Sequence, residues 1–283
     1  MKIRTFIFLL IIALFSTLFA QGDRSSWKRK AYAKTDVQLF HSIHVINLPT
    51  AETLQKKDMQ FDISHRFIPP ITEGSDAAFG IDGPVNMRLA LAYAITDRLL
   101  VTAGRTNVND NMDVQLKYKT LKIQHRTFPV LITLMGGAAY NSQLFQAVKS
   151  ESRKYQYYGQ LIANTLIHKK LGIGIVPSYL HNSYIFCCEN QHSFVLGNYI
   201  QYYFSPYWSL QAEWNPTVTG WRRWHNTMSF GIELETGGHF FKIFLSNNDL
   251  INTAQYLSGA DINADSGDWR FGFLITRALK IVR

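Results

Sequence analysis

From residue 58 onward the chain alternates apolar and non-apolar residues with a period of two, and no helical period competes with it. In 85–95, Val85, Met87, Leu89, Leu91, Tyr93 and Ile95 share one face, and Asn86, Arg88, Ala90, Ala92 and Ala94 share the other. In 112–119, Met112, Val114, Leu116 and Tyr118 alternate with Asp113, Gln115, Lys117 and Lys119. In 228–235, Met228, Phe230, Ile232 and Leu234 alternate with Ser229, Gly231, Glu233 and Glu235. Successive side chains on a strand point to opposite faces, so the pattern predicts an all-β protein.

A soluble sandwich would turn its second face to water and make it charged. Here that face is Gly, Ala, Ser, Thr and Gln with scattered ions, and charged residues make up only 17% of the chain. The alternating segments run to about 9–13 residues, near the length a tilted membrane strand needs. A bilayer excludes open sheet edges, so such a sheet must close. The expectation is a transmembrane up-and-down antiparallel β-barrel with apolar residues outward and polar residues in the lumen.

The connections agree. Ile95 and Leu99 flank Thr96-Asp97-Arg98, Ile167 and Leu171 flank His168-Lys169-Lys170, and Phe204 and Trp208 flank Ser205-Pro206-Tyr207. Each is a three-residue hairpin loop that keeps both apolar sets on one face, as register demands. The other connections, 68–84, 139–153, 182–192, 217–224 and 248–268, are longer, which is the periplasmic and extracellular asymmetry of a bacterial barrel. Strands are expected near 58–67, 85–95, 99–107, 112–119, 126–138, 154–167, 171–181, 193–204, 208–216, 226–235, 240–247 and 269–280. That makes twelve, or fourteen if the apolar segment 38–47 pairs with a further strand. Phe67, Tyr155, Tyr202, Phe204, Tyr207, Trp208, Trp214 and Trp269 sit near strand ends, where aromatic girdles form.

Residues 1–20 begin with Lys2 and Arg4, continue with an apolar run from Phe6 to Phe15, and close on Ser16, Thr17 and Ala20. This is the pattern of a cleaved secretory signal; the run is too short to span a bilayer as a helix. The expected domains are the signal peptide 1–20, an extension 21–57 lying in the periplasm or in the lumen, and the barrel 58–283. Removal of Lys2 and Arg4 takes the formal charge from +9 to +7. In an exported chain that excess suits a phosphate-rich membrane surface rather than nucleic acid.

Several stretches carry a further likeness: Ile63-Ser64-His65-Arg66-Phe67, Phe79-Gly80-Ile81-Asp82, Ile95-Thr96-Asp97-Arg98-Leu99, Gly104-Arg105, Glu235-Thr236-Gly237-Gly238-His239, and Phe271-Gly272-Phe273 with Ile275 and Arg277. In order and spacing they resemble an uncharacterised family of predicted outer-membrane β-barrels of Gram-negative bacteria, over roughly 37–280. The resemblance implies a barrel in the cell outer membrane and carries no activity or site residues. The chain departs from barrels in general by ending on Ile281-Val282-Arg283 rather than on an aromatic residue.

By parity the lumen-lining ions are Asp62, Arg66, Arg88, Asp113, Lys117, Glu213, Glu233, Lys242 and Arg270. Glu233 and Lys242 flank a turn, which sets them directly opposite or one diagonal apart, where opposite charges stabilise by about 0.2–1 kcal/mol. These ions either fill the barrel as an internal network or line a pore that selects by charge. Arg105 and Arg277 have outward parity near strand ends, where contact with headgroup phosphate and snorkelling are both open. Cys187 and Cys188, with Glu189 and His192, are poorly spaced to chelate one ion, and a vicinal disulfide suits an exported loop better. His41 and His44 fall on opposite faces of an extended segment. His181-Asn182-Ser183 places His and Ser on one outward face; of the groups that could orient the His, Asn198 faces outward about five residues down the next strand and Glu189 sits in a loop, so a polar pair where the strand meets water is the favoured reading. The sequence therefore predicts no catalytic residues, cofactor or metal. The partners expected are outer-membrane lipid and small polar solutes, reached through a narrow passive channel. The alternatives are a side-chain-filled barrel acting in binding or assembly, and, last, a lipid-modifying enzyme.

Overall fold

The computed structural model describes residues 38–125, 128–143, 151–186 and 189–280. The signal peptide, residues 21–37, Cys187, Cys188 and residues 281–283 lie outside the described residues. The strands are β1 (Met59–Pro70), β2 (Val85–Ala94), β3 (Leu99–Thr106), β4 (Asn111–Ile123), β5 (Val130–Asn141), β6 (Tyr155–Ile167), β7 (Leu171–His181), β8 (His192–Tyr203), β9 (Trp208–Asn215), β10 (Thr217–Gly220), β11 (Thr227–Glu235), β12 (His239–Ser246) and β13 (Arg270–Leu279). The four-residue β10 prolongs β9 past Pro216 along β8, so the barrel has twelve staves. Each stave pairs antiparallel with its neighbours, and β1 pairs with β13 to close the ring. Closure gives every stave a hydrogen-bonding partner on both sides.

The outward faces are apolar. Along β2, Met87, Leu89, Leu91 and Tyr93 are exposed while Ala90, Ala92 and Ala94 are buried. Opposite Ala90, Gly104 of β3 leaves room for the Arg88 guanidinium. Residues 38–47 do not join the sheet, so no fourteenth strand forms among the described residues. Strand β5 begins at Val130 rather than near 126, because Pro129 cannot donate to the ladder. At the other end it runs on to Asn141 and shortens the connection that follows. The remaining link at the long-loop end, 107–110, is itself only four residues.

The interior divides into two parts. The lumen side of β5–β8 carries an apolar patch of Leu131, Met135, Ile162, Val176, Leu180 and Val195 among uncharged polar residues such as Thr133, Gln160, Asn164 and Ser178. The rest of the wall carries the ions. Two chain segments occupy the space between. Residues 38–57 enter from the short-turn end and bury Leu39, Phe40, Val45, Leu48 and Ala51 against the apolar wall. From the long-loop end the β12–β13 connection folds inward around a single helical turn, α1 (Thr253–Tyr256), which Asn252 caps by accepting from the Gln255 N–H. Ala254, Tyr256 and Leu257 complete the same core. Burial of a large apolar side chain stabilises by roughly 1.5–3 kcal/mol, so the inner segments and the apolar wall depend on each other.

Candidate functional site

The segment 38–57 does not lie extended in the lumen. Val45 N–H donates to the Leu48 carbonyl at 2.8 Å and Thr50 N–H to the Ile43 carbonyl at 3.0 Å, which closes a tight turn over 43–50. His44 and Pro49 form an antiparallel bridge within it. A turn this small cannot satisfy its own outward-pointing backbone groups, and in a buried site each must find a partner. The barrel wall supplies them.

Glu213 of β9 receives the turn's amides. Its Oε1 accepts from the N–H groups of Ile46 at 2.7 Å, Asn47 at 2.8 Å and Leu48 at 2.9 Å, and its Oε2 accepts from Asn47 Nδ2 at 3.0 Å. Three successive amides converging on one carboxylate form an anion nest. Lysines hold the carbonyls. Lys242 Nζ donates to the carbonyls of His44 at 2.6 Å and Val45 at 2.5 Å, and lies 3.2 Å from Glu233. Lys117 Nζ donates to the carbonyls of Ile43 at 2.7 Å and Thr50 at 3.1 Å. Thr133 donates to the Ala51 carbonyl, Tyr199 to that of Pro49, and Asn164 accepts from the Ala51 N–H. A buried ion without partners costs several kcal/mol; here the compensation for Lys117 and Glu213 comes from backbone dipoles of the segment.

Two side chains of the segment sit in sockets cut by glycine. A Cβ at Gly172 would lie 2.7 Å from the Phe40 ring, and one at Gly197 2.9 Å from a Leu48 methyl. Phe40 also packs edge-on against Tyr199, with centroids 5.6 Å apart.

Asp62, Arg66, Arg88, Asp113, Lys117, Glu213, Glu233, Lys242 and Arg270 all point inward. They belong to three groups. Lys117, Glu213 and Lys242 hold the segment; Arg66 reaches it through Asn47 Oδ1 at 2.8 Å. Arg66 also joins the upper connection, donating to the Asn248 and Leu250 carbonyls, and Arg270 does so through a two-pronged pair with Asp261, both contacts at 2.7 Å. The wall keeps the others: Arg88 grips Asp113 at 2.7 Å, Asp62 accepts from Thr276 and Gln60, and Glu233 accepts from Gln201 and Gln211. Glu233 and Lys242 are direct cross-strand partners.

Between the two inner segments remains a cavity of about 80 Å³, bordered by His44, Asp62, Arg88, Lys117, Thr253 and Tyr256. That is room for a few waters. Sequence reasoning did not find the apolar inner wall or the inward connection 247–262. The signal was present as apolar residues on both faces of 130–135 and 175–180, a breach of the polar-in rule.

The outward candidates part company. Asn182 takes a left-handed backbone at φ 59°, which breaks the alternation after β7. Ser183 is therefore buried, its N–H donating to the Gln191 carbonyl, while His181 stays outside next to Tyr157. The expected shared face of His181 and Ser183 does not form. Arg105 pairs with Asp110, whose carboxyl is held below the usual range by the Ser142 hydroxyl and then by Arg105. Arg277 is exposed near the end of β13. Among the described residues no three His, Cys, Asp or Glu side chains group to hold a metal ion.

His44 makes the seated segment sensitive to acid. It keeps some accessible surface toward the internal cavity but is enclosed by protein on every side, and enclosure, then Lys242, Lys117 and Arg88, push its pKa well below the ordinary value. A released segment titrates near 6.5 in water. Below that pH the released state binds more protons than the seated one, so seating is strongest above pH 6.5 and weakens as pH falls. Protection factors across 43–50, in which the slower intrinsic exchange in acid is divided out, should be lower at pH 5 than at pH 7.5, and His44→Gln should remove most of that difference. Equal protection factors at both pH values would refute the assignment.

A comparison with curated proteins finds no match. Among solved structures the chain is similar to an outer membrane channel from Pseudomonas putida F1, at 11% identity over 81% of this chain and 98% of that one, with a TM-score of 0.48. It is similar to the NanC porin at 10% identity over 80% and 100% of the two chains, TM-score 0.46. It is also similar to an active-site variant of outer membrane phospholipase A from Escherichia coli at 11% identity over 80% and 91%, TM-score 0.42. Residues 40–279 match the model of the family described as membrane bound beta barrel domain (DUF5777), and the chain belongs to that family.

Proposed function

We propose that the protein is an outer-membrane barrel, exported through a cleaved signal peptide, that acts without catalysis as a narrow passive channel for small polar solutes and is closed at rest by its own residues 38–57. One observation carries this reading: Lys117 and Glu213 direct their hydrogen bonds to the backbone of that segment and not to the neighbouring staves. Withdrawal of the segment toward the short-turn end would leave a wall with Arg66, Lys117, Glu213 and Lys242 free to hold water and solute. The inward β12–β13 connection would then set the narrowest point.

A second reading is a permanently filled barrel acting in binding or assembly through its loops. The apolar patch on the lumen side of β5–β8 favours it, because an emptied lumen would expose Leu131, Ile162, Val176 and Leu180 to water.

Planar-bilayer recording separates the two. The full chain should be silent, and a chain lacking 38–52 should conduct in steady steps. Silence from the deleted chain, shown to be folded by its β-sheet circular dichroism, would favour the filled barrel.

A further inference from the structure

We infer that the lumen is a receptor for peptide backbone, so that the polar solutes it accepts in place of residues 38–57 are short peptides. This deepens the reading that the segment leaves the lumen, and rests on it.

The argument starts from what the wall recognises. From residue 43 to residue 52 most of its contacts fall on main-chain atoms. The amides of 46, 47 and 48 go to Glu213 and the amide of 51 to Asn164. The carbonyls of 43, 44, 45, 49, 50 and 51 go to Lys117, Lys242, Tyr199 and Thr133. The polar side-chain contacts of this stretch with the wall are those of Asn47, which meets Glu213, Ser229 and Arg66, and of Glu52, which pairs with Lys119 at 3.4 Å. A site that reads amide N–H and C=O groups is indifferent to most of the sequence that carries them.

The chemistry also favours a chain of amides over other solutes. A sugar offers hydroxyls that donate and accept at the same atom. This wall instead sorts its functions, with a carboxylate facing three consecutive donors and two ammonium groups facing clusters of acceptors. A simple anion would be served by the lysines but repelled by Glu213, which sits buried beside them. A chain of amides presents donors and acceptors in separate sets, as this wall requires. Selectivity comes from two apolar sockets, the space over Gly172 that takes a ring and the space over Gly197 that takes a branched aliphatic group, filled here by residues eight positions apart, Phe40 and Leu48.

The test uses the barrel lacking 38–52, in detergent and in planar bilayers, with a fluorescent synthetic peptide of residues 38–52. The peptide should bind, raising its anisotropy, and should block the conductance of the deleted barrel. The same peptide N-methylated at Ile46, Asn47 and Leu48 loses the three donors and should bind at least tenfold more weakly. An unrelated peptide with Phe and Leu at the same spacing should bind within tenfold of the original, and maltotriose should neither bind nor block. Equal binding of the N-methylated peptide, or block by maltotriose, would overturn the inference. A deleted barrel that conducts but ignores every peptide would overturn it while leaving the channel reading intact. A folded deleted barrel that is silent yet binds the peptide, with the N-methylated form weaker, would remove the channel reading and keep the peptide site.

Discussion

Replacing Glu213 with Leu should release residues 38–57 from the lumen while leaving the barrel folded. The carboxylate is the acceptor for three consecutive amides of the turn, and none of the three can find another within so tight a loop. A buried donor left without a partner costs about 1–3 kcal/mol. Three of them cost about 3 kcal/mol even at the low end, which moves the balance between seated and released segment by more than a hundredfold. Water entering the internal cavity softens this loss without removing it, since the cavity of about 80 Å³ holds only a few molecules. The measurement is amide exchange at Ile46, Asn47 and Leu48, which should accelerate in Glu213→Leu, and to an intermediate degree in Glu213→Gln, where one oxygen still accepts. Asp113→Asn serves as a control, because Asp113 bonds to Arg88 and Gln115 and does not touch the segment. Protection of 46–48 that survives Glu213→Leu would mean that the apolar contacts alone seat the turn.

The staves were legible in the sequence because the bilayer imposes one rule on nearly every residue of them. Met87, Leu89, Leu91 and Tyr93 face outward because only that face can be apolar all round a barrel, and this fixes register as well as strand identity. The inward parity of Glu233 and Lys242 and their pairing across the hairpin follow from the same count. What fills the lumen was not legible. Residues 38–47 look like a strand by composition, yet their apolar side chains answer to Leu131, Ile162, Val176 and Leu180, which come from three staves spread over about fifty residues. Period-two reasoning assigns those positions to a polar interior, so the apolar residues on both faces of 130–135 and 175–180 stand only as exceptions to it. The turn at 43–50 is held mainly by groups more than sixty residues away, such as Lys117, Glu213 and Lys242, and no local pattern announces such contacts. Gly172 and Gly197 carry no mark in the sequence that sets them apart from other small inward residues, although their smallness is what the segment requires.

Gly172 therefore offers the sharpest way to empty the lumen from the wall side, without altering the segment itself. A Cβ there would stand 2.7 Å from two atoms of the Phe40 ring, well inside contact distance, and valine adds two methyl groups beyond it. The ring cannot retreat sideways, because Phe40 is fully buried and already packs edge-on against Tyr199. Valine suits a strand better than glycine does, so β7 itself should form at least as readily and the strain should fall on the segment. Gly172→Val should thus free Leu39 and Phe40, exposing the Leu39 amide that now donates to Glu52 at 2.7 Å, while the circular dichroism of the sheet stays unchanged. Gly159→Val on β6 is the matched control: its Cβ meets nothing within 4 Å, and it should leave the segment seated. Phe40→Ala alone empties a buried site and should weaken seating by about 3–5 kcal/mol. Combined with Gly172→Val, the new methyls fill part of the space the ring vacates, so the double variant should seat better than either single one. A double variant no better than Phe40→Ala, with Gly172→Val itself showing full protection of Leu39 and Phe40, would mean that the socket does not position the segment.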